Sequence, residues 1–434
     1  VSVTLGRPGT RRTSDDAEQP AEASDGLVAP GFRDRIAHWR ALLDRPLASY
    51  YLVLGCSLLL LALGLVTVLS ASTAYQEIQK LPPYSVFEKQ VLGAVLGLVI
   101  MWLLAKAPVR LFRACAYPLL VASVLGLVLV LLVGPKVGGV ERWIDVAGFE
   151  VQPSEFAKLA FVLWGADLLA RKEKLRQLTD SRQLLIPLLP GLAVLGLLVM
   201  AGDDLGTTFL LVVIFLALLW VIGTPGRLLV GMLGLMLFVI LVLIVVEPWR
   251  LDRLTGYLGQ SSSSCPSCYQ LTQGKYALGS GGLFGQGLGA SKGKWGWVPN
   301  SPTDFIFAIL GEELGLLGSL CVIVLYGGIA FAGLRIARRV PDTFSRLAAG
   351  SITVWVIAQA LVNIGAVLGV LPITGVPLPL ISAGVSSLLV TMTALGMLMA
   401  FARSEPGARE ALAAAGPTTP QRILHWLGLV RRSG

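Results

Sequence analysis

"LLVVIFLALLWVIG" (Leu210–Gly223) runs for fourteen residues without one ionisable side chain. Its apolar residues are continuous, so it lacks the in-out alternation of a membrane β-barrel strand. Only a helix closes its own backbone hydrogen bonds within a single segment in lipid, so the stretch reads as the core of a transmembrane helix. The uncharged run spans residues 205–226, close to the ~20 residues that cross a bilayer.

The pattern recurs along the chain. Of 434 residues, 55 % are hydrophobic and 14 % charged, and the mean hydropathy is +0.74. That balance belongs to membrane proteins. Apolar runs near 48–72, 88–105, 109–133, 154–171, 185–201, 206–224, 227–247, 304–334, 346–371 and 385–402 predict helices. The expected fold is an all-α polytopic membrane protein with about ten transmembrane helices.

Basic residues in the connecting loops orient it. In the short loops, thirteen fall in one alternate set (Lys106 to Arg113, Arg171 to Arg182, Arg227, Arg335 to Arg346), against Lys80, Lys89, Lys136 and Arg142 in the other. The positive-inside rule puts the richer set, and with it both termini, in the cytoplasm. Loops 73–87, 134–153, 202–205, 248–303 and 372–384 then face outward. The longest, 248–303, is the large extracellular loop between helices 7 and 8; rich in Gly and Ser, it reads as a re-entrant, function-bearing segment. The net charge of +9 reads as basic loops on membrane lipid, with no nucleic-acid partner.

The polar residues 1–46, with "DDAEQPAEASD", read as a disordered cytoplasmic tail without a cleavable signal. Residues 47–403 form the transmembrane domain. Residues 404–434 form a cytoplasmic tail, in which "QRILHWLGLVRR" suits an interfacial helix or a disordered segment. Cys56, Cys115 and Cys321 lie in apolar runs as packing residues, whereas Cys265 and Cys268 are either a short disulfide or two free thiols. Both histidines, His38 and His425, are in the tails, and no metal site is expected.

Ionisable groups at membrane depth cost about 2.5–3.5 kcal/mol each and demand a partner or an aqueous cavity. In "QPSEFAKLAF", Ser154 is a candidate cap, and Glu155 and Lys158 share a helical face. They either neutralise each other or line a polar cavity. Asp203 and Asp204 in "AGDDLGTT" are a solvated hairpin tip or functional acids. "GKYALGSGGLFGQGLGASKGKWGW" (Gly274–Trp297) holds nine glycines with Lys275, Lys292 and Lys294. Such a segment suits close backbone approach to a phosphate, or is a flexible linker. It has neither a Walker loop nor a Rossmann fingerprint.

"TDFIFAILGEELG" (Thr303–Gly315) puts Asp304 at a helix start, where an acid is also an ordinary dipole partner. Glu312 and Glu313 follow on the order of 12 Å along the helix. Three carboxylates there imply a wet, charged pocket opening outward. "LPITGVPLPLISAGVSSLL" reads as an irregular segment dipping into the bundle. Gln359 and Asn363, four apart, are interhelical glue or part of the same pocket.

Six segments together resemble the SEDS family of bacteria, involved in shape, elongation, division and sporulation. They are "RWID" (Arg142–Asp145), "QPSEFAKL" (Gln152–Leu159), "DLGTT" (Asp204–Thr208), "ALGSGGLFGQGLG" (Ala277–Gly289), "TDFIFAILGEELG" and "LPLISAGVSSL" (Leu378–Leu388). They stand in the family's order over about residues 45–405. "GLGASKGKWGWVP" looks closer to the division branch than to the elongation branch.

The resemblance implies a peptidoglycan glycosyltransferase that polymerises lipid II on the outer face of the bacterial cytoplasmic membrane, at the division septum. Its implied partners are a class B penicillin-binding protein and other divisome membrane proteins. Asp304 matches the family's catalytic aspartate, and Arg142, Trp143, Glu155, Lys158 and Asp204 match positions of its polar cavity. The family often has Pro-Glu-Ala-His before its Thr-Asp, where this chain has Pro299-Asn300-Ser301-Pro302. The "Gln-Pro-Asp-Leu-Gly" and "Ser-Tyr-Gly-Gly-Ser-Ser" of many members read Gly202–Gly206 and Ser382–Ser387 here.

In chemical terms Asp304 is the expected general base for an inverting transfer. Arg142, Lys158, Lys275 and Lys292 are candidates to carry charge on the leaving pyrophosphate, with a divalent cation, Mg or Mn, as a candidate cofactor. Glu312, Glu313, Gln359 and Asn363 complete the expected substrate site. Two rival readings remain: a lipid II flippase, and a non-catalytic scaffold for the transpeptidase. A flippase needs polar residues along its whole path, whereas the intramembrane charges here cluster in the outer half.

Overall fold

A computed structural model describes residues 47–134, 142–146, 148–175, 181–246, 266–408 and 410–411. The N-terminal tail, most of the C-terminal tail, Cys265 and much of loop 248–303 lie outside the described residues. The helices are α1 Ala48–Ile78, α2 Ser85–Lys106, α3 Val109–Val133, α4 Pro153–Lys174, α5 Ser181–Ala201 and α6 Leu205–Ile222. They continue with α7 Gly226–Val246, α8 Pro266–Ser280, α9 Ile306–Arg339, α10 Thr343–Leu368 and α11 Val385–Ala402.

Seven of them, α1, α2, α3, α6, α9, α10 and α11, are long and apolar enough to cross a membrane. The fold is therefore mostly helical and that of a multi-pass membrane protein. Two departures from the sequence expectation are small. Ile144–Val146 and Phe149–Val151 pair as an antiparallel ribbon, β1 and β2, and α8 is a helix where the sequence suggested only loop.

Helix ends follow local chemistry. The Asp204 side chain caps α6 by accepting from Thr207 N at 3.0 Å, and Asp342 caps α10 through Ser345 N at 3.0 Å. Pro153 opens α4 at a position where no backbone donor is needed. Gly223 and Gly369 end α6 and α10 in left-handed conformations.

The most charged of these helices is buried over most of its length, up to Ala170. Glu155, Lys158 and Asp167 on α4 are 1 %, 0 % and 0 % exposed, because α4 packs against α3, α5, α6 and α10. Neighbouring apolar helices thus take the lipid-facing positions and leave α4 and α10 to carry polar groups inside. Close packing uses small residues: a Cβ at Gly396 of α11 would lie 2.8 Å from the Met101 carbonyl of α2.

Helix α9 is not continuous. Gly315 has φ 68° and ψ −164°, breaking it after Leu314 into a short segment that follows Asp304 and a longer one that ends at Arg339.

Candidate active site

Between α10 and α11 the chain from Pro372 to Gly384 forms no helix or strand. Its carbonyls are taken up by side chains of the surrounding helices. Gln359 Nε2 donates to Pro377 O at 3.0 Å, Asn363 Nδ2 to Val376 O at 2.8 Å, and the Tyr326 hydroxyl to Pro379 O. Gln90 of α2 donates to Ser382 O at 3.2 Å and accepts from Gly384 N at 3.0 Å. Irregular backbone survives inside a membrane protein only with such substitutes for its missing helical bonds.

Asp304 sits in the turn that leads into α9, and that turn is stitched to the same segment. Ala383 N donates to Pro302 O at 2.9 Å, Ser382 Oγ to Thr303 O at 2.6 Å, and Asn363 Nδ2 to Asp304 O at 2.9 Å. Asp304 is half-buried. Its Oδ2 lies 3.7 Å from where a Cβ at Gly375 would stand. Gly375 has φ +71°, a left-handed conformation that glycine adopts without strain.

Glu155 and Lys158 form a buried pair at 2.8 Å. The Lys158 ammonium also donates to Gln359 Oε1 at 3.0 Å and stands 5.2 Å from the Trp355 ring centroid. Glu155 Oε2 is buried without a hydrogen-bond partner in the structure. Asp204 accepts from Gln152 Nε2 at 3.2 Å and Ser154 Oγ at 3.4 Å as well as capping α6. Next to it, a Cβ at Gly206 would come within 2.8 Å of Thr374 O. Asp304, the Glu155–Lys158 pair and the capped end of α6 therefore converge on Thr374–Pro377.

Arg142 is bound elsewhere: its Nε donates to Gly202 O at 3.1 Å, and its guanidinium also reaches Asp203 O. It braces the turn that presents Asp204. Trp143 is half-buried just before β1. Arg142, Ser154, Asp204 and leucines of α3 and α5 line a cavity of about 10 Å³, roughly the space of one water.

Glu312 and Glu313 do not line a wet pocket; both are 2 % exposed. Glu312 accepts from Lys292 N at 3.0 Å, Gly293 N at 3.1 Å, Ser280 Oγ at 3.3 Å and Ser291 Oγ. Glu313 receives the Ser70 hydroxyl of α1 and the Lys294 ammonium, the latter at 3.4 Å. These acids anchor the Gly-rich loop.

The glycines serve the same docking. Where Gly315 breaks α9, Gln286 N and Gly287 N donate to the Glu312 and Glu313 carbonyls at 2.9 and 3.1 Å, and Leu316 N donates to Gly282 O at 2.9 Å. A Cβ at Gly281 or Gly285 would stand 2.1 Å from a carbonyl of α9. Lys275 and Lys292 are exposed. The Lys275 side chain lies against Gly369 at the C-terminal end of α10, where the helix dipole favours a cation.

Sequence reading passed over several groups here. Gln90, Ser70, Tyr326 and Ser382 look like ordinary residues of apolar helices or loops. Lys294 was visible only as one of three loop lysines, yet it is the buried one, at 5 % exposure. Asp167 is fully buried between Arg113 at 3.0 Å and Arg171 at 2.7 Å; its spacing of four from Arg171 was the available signal. Cys268 is disulfide-bonded. Among the described residues no group of three or more His, Cys, Asp or Glu is placed to hold a metal ion.

The family model of FtsW, RodA and SpoVE, described as cell cycle protein, matches residues 50–406. The chain is 41 % identical over 408 residues to a probable peptidoglycan glycosyltransferase FtsW of Mycobacterium tuberculosis, covering 93 % of this chain and 76 % of the relative. It is 36 % identical over 351 residues to stage V sporulation protein E of Bacillus subtilis, covering 80 % and 95 %. Among solved structures, a chain of a peptidoglycan synthase complex that coordinates polymerization and crosslinking aligns with TM-score 0.67 at 27 % identity, over 82 % of this chain and 98 % of that one. Thermus thermophilus rod shape determining protein RodA aligns with TM-score 0.60 at 27 % identity, over 84 % and 99 %.

Proposed function

The chain belongs to the FtsW, RodA and SpoVE family and is a peptidoglycan glycosyltransferase, and on that premise we propose that it polymerises lipid II with Asp304 as general base. Asp304 takes the proton of the acceptor sugar's 4-hydroxyl as that oxygen attacks the donor's anomeric carbon. The C1–O bond to pyrophosphate breaks on the opposite face, so an α-linked donor yields a β-1,4 link with inversion. The observation that carries this reading is the backbone of residues 302–304, held by Ala383, Ser382 and Asn363 while the Asp304 side chain stays half-buried beside Gly375. A base fixed in this way loses little freedom when the acceptor arrives.

Exposed Lys275 and Lys292 are available to the leaving pyrophosphate, whereas Lys158 is fully enclosed. A divalent cation carried on the pyrophosphate is the candidate cofactor, where it would offset the leaving group's charge. Together with α4, α5 and α7, the seven strongly apolar helices make ten spans, with both termini cytoplasmic and Asp304 on the outer side. The division septum is the proposed location. A class B penicillin-binding protein that crosslinks the strands is the proposed partner.

The test uses the purified protein with its transpeptidase partner in vesicles carrying fluorescent lipid II. Glycan strands resolved by electrophoresis are the expected product. Movement of lipid II between leaflets with no strands formed would overturn the reading in favour of transport.

A further inference from the structure

We propose that Lys158 is a positioning residue that acts through Gln359 on the segment beside Asp304, and not a contact to substrate phosphate; this rests on the glycosyltransferase reading above. Lys158 is 0 % exposed, and its ammonium is engaged by Glu155 at 2.8 Å and Gln359 Oε1 at 3.0 Å under the Trp355 ring. A pyrophosphate would have to displace these partners to reach it.

The chemistry of the amide gives the engagement its direction. Gln359 Oε1 accepts from two donors, Lys158 Nζ and Trp355 Nε1, the second at 2.9 Å. Ammonium and indole N–H only donate, so the oxygen must face them and Nε2 must face away. Nε2 then meets Pro377 O at 3.0 Å. One turn further along α10, Asn363 Nδ2 bridges Val376 O and Asp304 O. Two amides four residues apart thus hold successive carbonyls, and the second ties them to the catalytic turn. Lys158 sets the orientation of the first. With it replaced by an apolar side chain, Gln359 loses its charge-assisted donor and the 374–377 segment loses a fixed neighbour to Asp304.

The experiment compares three forms of the protein in complex with its partner: Glu155→Gln/Lys158→Met, Gln359→Met, and all three changes combined. Replacing both members of the buried pair avoids stranding a charge. Steady-state polymerisation and binding of fluorescent lipid II are measured side by side. The proposal expects kcat to fall by up to about a hundredfold in each form, as a misplaced catalytic group does, with lipid II affinity within about twofold of wild type. It also expects the combined form to be no slower than Gln359→Met alone, because both act through one chain of bonds. A loss of lipid II affinity confined to forms that lack Lys158, or losses in kcat that multiply, would overturn it. If the Lys158 form does not fold, Gln359→Met still decides: unchanged kcat with that variant refutes the relay. Absence of strands from the wild type would instead count against the glycosyltransferase reading.

Discussion

The Lys294 ammonium and the Glu313 carboxylate lie 3.4 Å apart with side chains only 6 % and 2 % exposed, and the Ser70 hydroxyl touches both. The contact joins α1, the Gly-rich loop and the short first segment of α9. Lys294→Met alone leaves a carboxylate stranded in a dry site, which costs about 3–5 kcal/mol. Thermal unfolding in detergent is expected to show a clear fall for Lys294→Met and near recovery for Lys294→Met/Glu313→Gln. Equal midpoints for the single and double variants would remove the pair's role.

The Gly-rich loop depends on close approach. Gly285 has φ +81° and a Cβ there would lie 2.1 Å from Glu313 O. Gly285→Ala therefore combines a strained backbone with a collision, costing at least about 1 kcal/mol. The expected outcome is a loop lifted from α9 and cut faster by protease, with a lower polymerisation rate. A protease pattern identical to wild type would contradict the docking.

Asp204 has a structural duty independent of any substrate. It caps α6 through Thr207 N and receives Gln152 and Ser154. Asp204→Ala is expected to destabilise by about 1–2 kcal/mol, while Asp204→Asn keeps the cap and costs little. Thermal midpoints of the two variants check this. If both fall equally, the charge rather than the cap matters.

The location of the helices was legible because lipid demands long apolar runs, and α3 and α11 even begin and end where the hydropathy changes. The end of α1 was not: it continues to Ile78 through Ser72 and Gln76, polar residues that are buried. Helix α8 was missed because its pattern is weakly apolar and its Gly274 looks like loop. In the structure that glycine lets the Phe305 ring approach, with ring carbons 2.7 Å from where a Cβ would stand. The break at Gly315 was equally hidden. Nothing local distinguishes it from Gly318, and its reason is the backbone of Leu283 and Gly285, some thirty residues earlier.

The site divides along the same line. Asp304, the Glu155–Lys158 pair, Gln359 and Asn363 stood out as polar groups in apolar helices, and they converge in space. Whether a charge faces solvent or a partner is a tertiary fact. Glu312 and Glu313 read as pocket carboxylates and are buried anchors, while Arg142 holds two backbone carbonyls.

The central claim is the role of Asp304, and Asp304→Asn tests it while preserving size. The measurement is the rate of lipid II polymerisation by the purified protein with its transpeptidase partner, wild type against an equally stable, partner-bound variant. The account predicts a loss of about a hundredfold or more, as expected when a general base is removed. Polymerisation by Asp304→Asn at the wild-type rate would contradict it.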